Sequence, residues 1–240
     1  MRRSFHIFFA LDRSGSMRID DAHPLANTPV TQQIAMHADN RFGAALSSIY
    51  SFWLAREGSQ RPGLNPSHRD AYTVVAFDHD AAVVCSNDVG SKAEELLRML
   101  PRDATEDGGT NFTQTLRLLQ QELETTWTTE RYPVVIFLSD GDCQFEEEAA
   151  YDLCRAAVRL GKPLAFHAVA FGGEGGSSRF LQRMTAIAHD IYETAPPDPL
   201  VPAGTNPCAF SAALDTVQLA KTYLSIADSL GNPRAALRRA

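Results

Sequence analysis

The sequence predicts an α/β domain: a doubly wound, mostly parallel central sheet with one antiparallel edge strand and helices on both faces. Three observations carry this. Four segments, FHIFFAL (5–11), YTVVAF (72–77), PVVIFL (133–138) and PLAFHAVAF (163–171), are near-continuous apolar runs bounded by turn signals, the pattern of strands buried on both faces. Amphipathic helical stretches separate them, which calls for right-handed crossovers and parallel pairing. AAVVC (81–85) follows the second run after the turn DHD and reads as its antiparallel hairpin partner.

The helices are read from apolar residues at helical spacing. Phe42, Ala45, Leu46, Ile49 and Trp53 form one such face, with Asp39 or Asn40 placed to cap it. Phe112, Leu116, Leu119 and Leu123 form a second. Another helix runs from about Phe145 to Leu160, closed by Gly161, and its EEE (146–148) suits the positive end of the helix dipole. Phe210, Ala213, Leu214, Val217 and Leu224 predict the last helix. IYET (191–194) is a sixth strand candidate, and the proline-rich segment 195–207 reads as an extended connection. With no internal repeat and no second core, one domain is expected over 1–240, its core at about 4–230 and 231–240 a flexible tail.

Composition narrows the function. Against 22 basic residues stand 29 acidic ones, a formal charge of −7, which argues against a general affinity for nucleic acid or an anionic membrane. The basic C-terminal RAALRRA reads as a surface tail. No apolar run approaches the roughly 18 residues of a membrane span. MRRSFHIFFALD imitates a signal peptide, but its apolar part is short, contains His6 and ends on Asp12 without a small-residue cleavage site. It reads as a strand of an intracellular, cytoplasmic protein. Cys85, Cys143, Cys154 and Cys208 lack the close pairing of a zinc site and are expected as reduced thiols.

Ligands of open parallel sheets bind beyond the carboxyl ends of the strands, so the loops after the buried runs matter most. After the first comes Asp12-Arg-Ser14-Gly-Ser16. After PVVIFL comes Ser139-Asp140-Gly141-Asp142. Before the second helix comes Gly108-Gly109-Thr110-Asn111. Each offers glycine and short oxygen side chains, and no cationic residue is shared among them. Hydroxyl, carboxylate and water oxygens at about 2.0–2.1 Å are what a small hard cation such as Mg²⁺ requires.

These three loop elements, in this order and after these strands, resemble the von Willebrand factor A (vWA) domain, a Rossmann-like fold, and its metal-ion-dependent adhesion site (MIDAS). The resemblance runs from about Ser4 to Leu230. It implies that Ser14, Ser16 and Thr110 give hydroxyl oxygens to Mg²⁺ (Mn²⁺ or Ca²⁺ as alternatives). Asp12 and Asp140 would hold its waters or touch it directly, and Gly15 and Gly109 would let the loops approach. A metal bound mainly by neutral groups keeps its charge and an open position, which a carboxylate from a protein partner completes. The implied function is therefore Mg-dependent protein binding without catalysis. Implied partners include AAA-type ATPases and other assembly or stress-response components. Taken singly, Ser14 and Thr110 also read as helix caps and Asp140 as a turn former. The alternative functions are an extracellular adhesin domain of a longer chain and a Mg-dependent phosphohydrolase. The segment 17–38 (MRIDDAHPLANTPVTQQIAMHA) is longer than the family needs and must pass near the metal. There Asp20 or Asp21 could take the sixth coordination position, with water as the other occupant. Asp142 is an extra carboxylate that either strengthens metal binding or faces water, and it is expected to face water.

The hydrolase reading lacks a second acid two residues after Asp12, where Ser14 stands, and none of Lys92, Lys162 and Lys221 lies in a recognisable motif. FGGEGGSS (171–178) has neither the P-loop nor the dinucleotide-binding spacing and reads as a strand-to-helix loop. His6 and His167 sit within strands as core or interface histidines, and no Ser-His-Asp or Cys-His arrangement follows from spacing.

Overall fold

The computed structural model describes residues 3–26, 28–33, 39–59, 69–106, 108–172, 178–196 and 207–231. All nine residues of β1 (Ser4–Asp12) are buried because packed layers cover both of its faces. Successive side chains of a strand point to opposite faces. Phe5, Ile7, Phe9 and Leu11 thus enter one core, and Phe8 and Ala10 the other.

β1 pairs in parallel with β2 (Ala71–Phe77) on one side and with β4 (Arg131–Ser139) on the other. β3 (Ala81–Asp88) folds back antiparallel on β2 and forms one edge. β5 (Ala165–Phe171) and β6 (Cys208–Ala213) continue in parallel to the other edge. The order is β3-β2-β1-β4-β5-β6, so the winding reverses between β1 and β4. The carboxyl ends of these two strands, at Asp12 and Ser139, flank the crevice where ligands of such sheets bind.

Seven helices, numbered in chain order, are described. The short α1 (Pro29–Gln33), α2 (Arg41–Ser59), α3 (Ala93–Met99) and α7 (Thr216–Gly231) lie with the Phe9 core. α4 (Phe112–Thr125), α5 (Glu147–Arg159) and α6 (Arg179–Thr194) cover the other face. Asn40 caps α2, its Oδ1 accepting from Gly43 N at 3.1 Å. Phe9 holds α2 and α7 to the sheet: Phe52 and Trp53 meet its ring edge-on at 5.3 and 5.8 Å, and Tyr223 stacks at 6.3 Å. At the amino end of β1, Arg56 and Asp70 form a fully buried ion pair. His6 and His167 are buried. His6 Nε2 lies 2.8 Å from Thr73 Oγ1, and burial, with Arg131 adding to it, lowers its pKa to about 3. Burial alone lowers that of His167 to about 4. All four cysteines are free, and all but Cys143 are buried.

Two expectations are corrected. Phe210 and Ala213 belong to β6, not to the last helix, which starts at Thr216. Their i, i+3 spacing imitates a helix, while CAFSAA is an edge strand too short and too small in its side chains to show an apolar run. IYET lies at the end of α6, where a helix already propagating from the Ser178 cap overrides local strand propensity. α6 itself, with Leu181, Met184, Ile187 and Ala188 buried, went unread. Of the connection 195–207, residues 197–206 lie outside the described residues, as do 173–177 of the glycine-rich loop and 232–240 of the tail. No described helix is long and apolar enough to cross a membrane.

Candidate metal centre

The DRSGS loop begins on the last residue of β1, whose Cα partner in β2 is Phe77. Backbone hydrogen bonds weave it into its neighbours. Arg13 N donates to Phe77 O at 2.8 Å, Gly15 N to Gly108 O at 3.0 Å, and Thr105 N to Arg13 O at 2.7 Å. The loop then closes in a 3₁₀ turn, Gly15–Arg18, with Met17 driven into the core. The Thr110 loop is fixed from behind by Phe112, the first residue of α4. Its ring meets Phe77 and Phe137 edge-on at 6.0 and 5.2 Å, which ties the loop to both β2 and β4.

Asp12 is fully buried. Its Oδ1 accepts from Ser14 N at 2.8 Å and its Oδ2 from the Ser139 hydroxyl. Burial raises its pKa to about 6 against the pull of the Ser139 and Ser14 hydrogen bonds, and the nearby Asp140 charge adds to the rise. Ser14 Oγ lies 3.1 Å from Ser16 Oγ, and Ser16 Oγ donates to Asp140 Oδ1 at 2.7 Å. A Cβ built on Gly141 would come within 3.7 Å of Ser139 Oγ and 3.8 Å of Thr110 Oγ1, so the Thr110 hydroxyl faces the SDG loop. The five residues singled out from the sequence therefore meet at one end of the sheet.

The cap readings of two of them do not hold. Ser14 precedes the 3₁₀ turn but makes no side-chain cap bond, its hydroxyl being turned to Ser16. The cap of α4 is Asn111, accepting from Gln114 N at 3.0 Å. The expectation for Gly109 is also corrected: a Cβ there meets nothing within 4 Å. The crowded glycine is Gly108, where a Cβ would lie 2.3 Å from Thr105 Oγ1 and 3.0 Å from Asp78 Cβ. Asp142 is exposed, 3.6 Å from Arg179.

The sequence reading missed a cation. Arg41, at the start of α2, donates from Nη1 to Asp140 Oδ2 at 2.8 Å and from Nε to Asp21 Oδ1 at 2.7 Å, and its Nη2 pairs with Asp21 Oδ2. Asp21 therefore faces Arg41, and Arg41 holds its carboxyl below the usual range. A signal existed. An arginine in the first turn of a helix opposes the dipole, so it calls for a carboxylate partner.

The donors gathered here are two carboxylates and three hydroxyls. Among the described residues no three His, Cys, Asp or Glu side chains form a metal cage. The Cys143 thiol turns to Thr110 O at 2.9 Å. Hard oxygens without soft ligands fit Mg²⁺, Mn²⁺ or Ca²⁺ in kind, provided that water fills out the shell.

Known structures share this architecture. The PilB minor pilin from Streptococcus sanguinis matches with a TM-score of 0.64 and 12% identity over 96% of this chain and 62% of its own. Proximal thread matrix protein 1 from the mussel byssus, with a zinc-occupied MIDAS motif, matches with a TM-score of 0.59 and 13% identity over 95% of this chain and 48% of its own. The VWA domain of SpRpn10 matches end to end, with a TM-score of 0.58 and 11% identity over 92% of this chain and 93% of that one. At such identities the likeness is one of fold, and this chain spans only about half to two-thirds of the mussel and pilin chains. No curated protein matches it in sequence. A family profile does: the von Willebrand factor type A domain matches residues 7–142, from β1 through the SDGD loop. With more than half of its length matched, the chain belongs to the von Willebrand factor type A domain family.

Proposed function

We propose that Asp12, Ser14, Ser16, Thr110 and Asp140 hold a divalent cation, Mg²⁺ first among candidates, and that the chain is a non-catalytic module binding a protein partner through it. Domains of this family are adhesion and protein-interaction modules. The observation that supports the reading most is the continuous chain from Ser14 Oγ through Ser16 Oγ to Asp140 Oδ1 at 3.1 and 2.7 Å, beside a buried Asp12.

Each residue has a task. Asp12, gripped by Ser14 N and the Ser139 hydroxyl, fixes the first loop and brings charge without mobility. Ser14 and Ser16 present neutral oxygens, and Asp140 links the fourth strand to the first loop. When bound, the cation supplies an electrophilic position for a carboxylate oxygen of the partner. Free cysteines throughout favour a reducing, cytoplasmic setting, and an AAA-type ATPase or other assembly component is the partner class proposed. Likeness to a minor pilin and to the pilus adhesin SpaC from Lactobacillus rhamnosus GG supports a second reading, an adhesin domain of a longer chain.

Calorimetry with Mg²⁺ and Mn²⁺ tests the site. Wild type is expected to bind one equivalent, and Asp12→Ala to lose that binding while circular dichroism stays unchanged, since the loops lie above the sheet. No binding by wild type, or equal binding by the variant, overturns the assignment.

A further inference from the structure

Arg41 occupies a built slot. Its side chain is 8% exposed and the Asp140 side chain is fully buried, so their contact at 2.8 Å is a buried ion pair. Asp21, on the other side of the guanidinium, is 48% exposed. Gly172, just after β5, makes room. Its φ is +75°, and a Cβ there would lie 2.8 Å from Arg41 Nε and 2.9 Å from Cζ. The backbone is tied as well, Arg41 N donating to Ile19 O at 3.1 Å. One guanidinium thus joins the segment after Ser16, the start of α2, the end of β5 and the SDG loop.

The Asp140 carboxylate is shared. Oδ2 belongs to Arg41 and Oδ1 to Ser16, so the positive charge stands against the back of a residue proposed for the metal. We propose that Arg41 is a positioning residue that sets how tightly this centre holds a divalent cation. It orients Asp140 and cancels much of its charge, and Asp21 in turn offsets Arg41. This rests on the metal reading above. The segment after Ser16 then acts through Asp21 and Arg41, not by placing a carboxylate on the metal. A cation held weakly by the protein keeps more charge for an incoming carboxylate. Anything that draws the exposed Asp21 away from Arg41 loosens the metal.

Opposite signs are the signature. Arg41→Gln keeps a donor for Asp140 but removes the charge, and it is expected to bind Mn²⁺ at least about fivefold more tightly, because like charges flanking one carboxylate repel even at a water-like dielectric. Asp21→Asn leaves Arg41 less neutralised and is expected to bind Mn²⁺ about threefold more weakly. Arg41→Lys, which keeps the charge, should stay near wild type. A purely structural role for the bridge would weaken binding in both charge-removing variants.

The experiment is Mn²⁺ calorimetry on wild type, these three variants and Asp12→Ala, with melting temperatures in chelator and in Mn²⁺. In chelator Arg41→Gln should melt lower, since Asp140 loses its counter-charge, and Mn²⁺ should raise its melting point more than that of wild type. If Arg41→Gln is too unstable to purify, Asp21→Asn is read beside Asp21→Glu, which keeps the charge but not the bridge geometry: the charge account weakens only the Asn variant, and a structural role weakens both. Equal or weaker Mn²⁺ binding by Arg41→Gln, or equal or tighter binding by Asp21→Asn, overturns the role of Arg41. That result leaves the metal site standing if wild type still binds and Asp12→Ala does not. Absence of binding in every protein overturns both.

Discussion

Replacing Asp70 with alanine is expected to be among the most damaging single changes in this domain, and to leave the metal end untouched. Asp70 is 3% exposed and Arg56 2%. The carboxylate accepts three hydrogen bonds: Phe5 N at 3.0 Å on Oδ1, and Arg56 Nε and Nη2 at 2.9 and 2.7 Å on Oδ2. Arg56 Nη1 also reaches Ala227 O at 3.1 Å, so the pair pins β1, α2, α7 and the start of β2 together. Truncation leaves a buried guanidinium without its carboxylate and an unpartnered Phe5 N–H. Breaking a buried pair in this way costs about 3–5 kcal/mol. For a domain of this size that is a fall of about 6–20 °C in melting temperature. Removing both charges, as Arg56→Met with Asp70→Asn, keeps an acceptor for Phe5 N and should cost only about 1–2 kcal/mol. Urea unfolding of the single and double variants measures both numbers, and Mn²⁺ calorimetry on the double variant should match wild type. A loss under about 1 kcal/mol for Asp70→Ala, or a double variant as unstable as the single one, would refute the argument.

The two buried histidines predict acid sensitivity. Both folded-state pKa values lie below the ordinary 6.5, at about 3 for His6 and about 4 for His167, so the unfolded chain takes up protons first as pH falls. Their contribution is fully present above about pH 6.5 and is lost as pH falls toward 4, at up to about 1.4 kcal/mol per unit for each histidine. Asp12, raised to about 6, protonates first in the folded state and offsets about one histidine between about pH 6 and 4. Urea midpoints between pH 7.5 and 4.5 should therefore fall at about half that combined slope, and should flatten in His167→Gln; a wild-type midpoint that rises as pH falls contradicts the assignment. Gly172→Ala should cost about 1–2 kcal/mol, or about 2–8 °C in melting temperature, because it combines a positive φ with a Cβ pressed on Arg41. An unchanged melting point would show that the slot can widen. Asp142→Asn should leave Mn²⁺ affinity within about twofold of wild type, because its charge is exposed and turned to Arg179; a tenfold loss would place it among the ligands.

From the sequence alone, whatever is written in neighbouring residues was legible. A strand buried on both faces must be apolar at nearly every position, so β1, β2, β4 and β5 announced themselves. A hairpin partner follows its turn closely, so β3 did too. The loops ending β1 and β4 and preceding α4 carry oxygen side chains at fixed spacing, so all five candidate ligands could be named before any contact was known. The tertiary structure decided what neighbouring residues do not encode. β6 is stabilised by pairing with β5 from 42 positions away, as in Phe166 with Cys208, and its own residues imitate a helix. Arg41 meets Asp140 across 99 positions, and only the packing of α2 against the sheet brings them together. Asp21 shows the difference most plainly: it stands five residues after Ser16, close enough to suggest a metal ligand. Nearness along the chain placed it in the right neighbourhood, but a buried guanidinium without enough negative charge around it decided which way it turned.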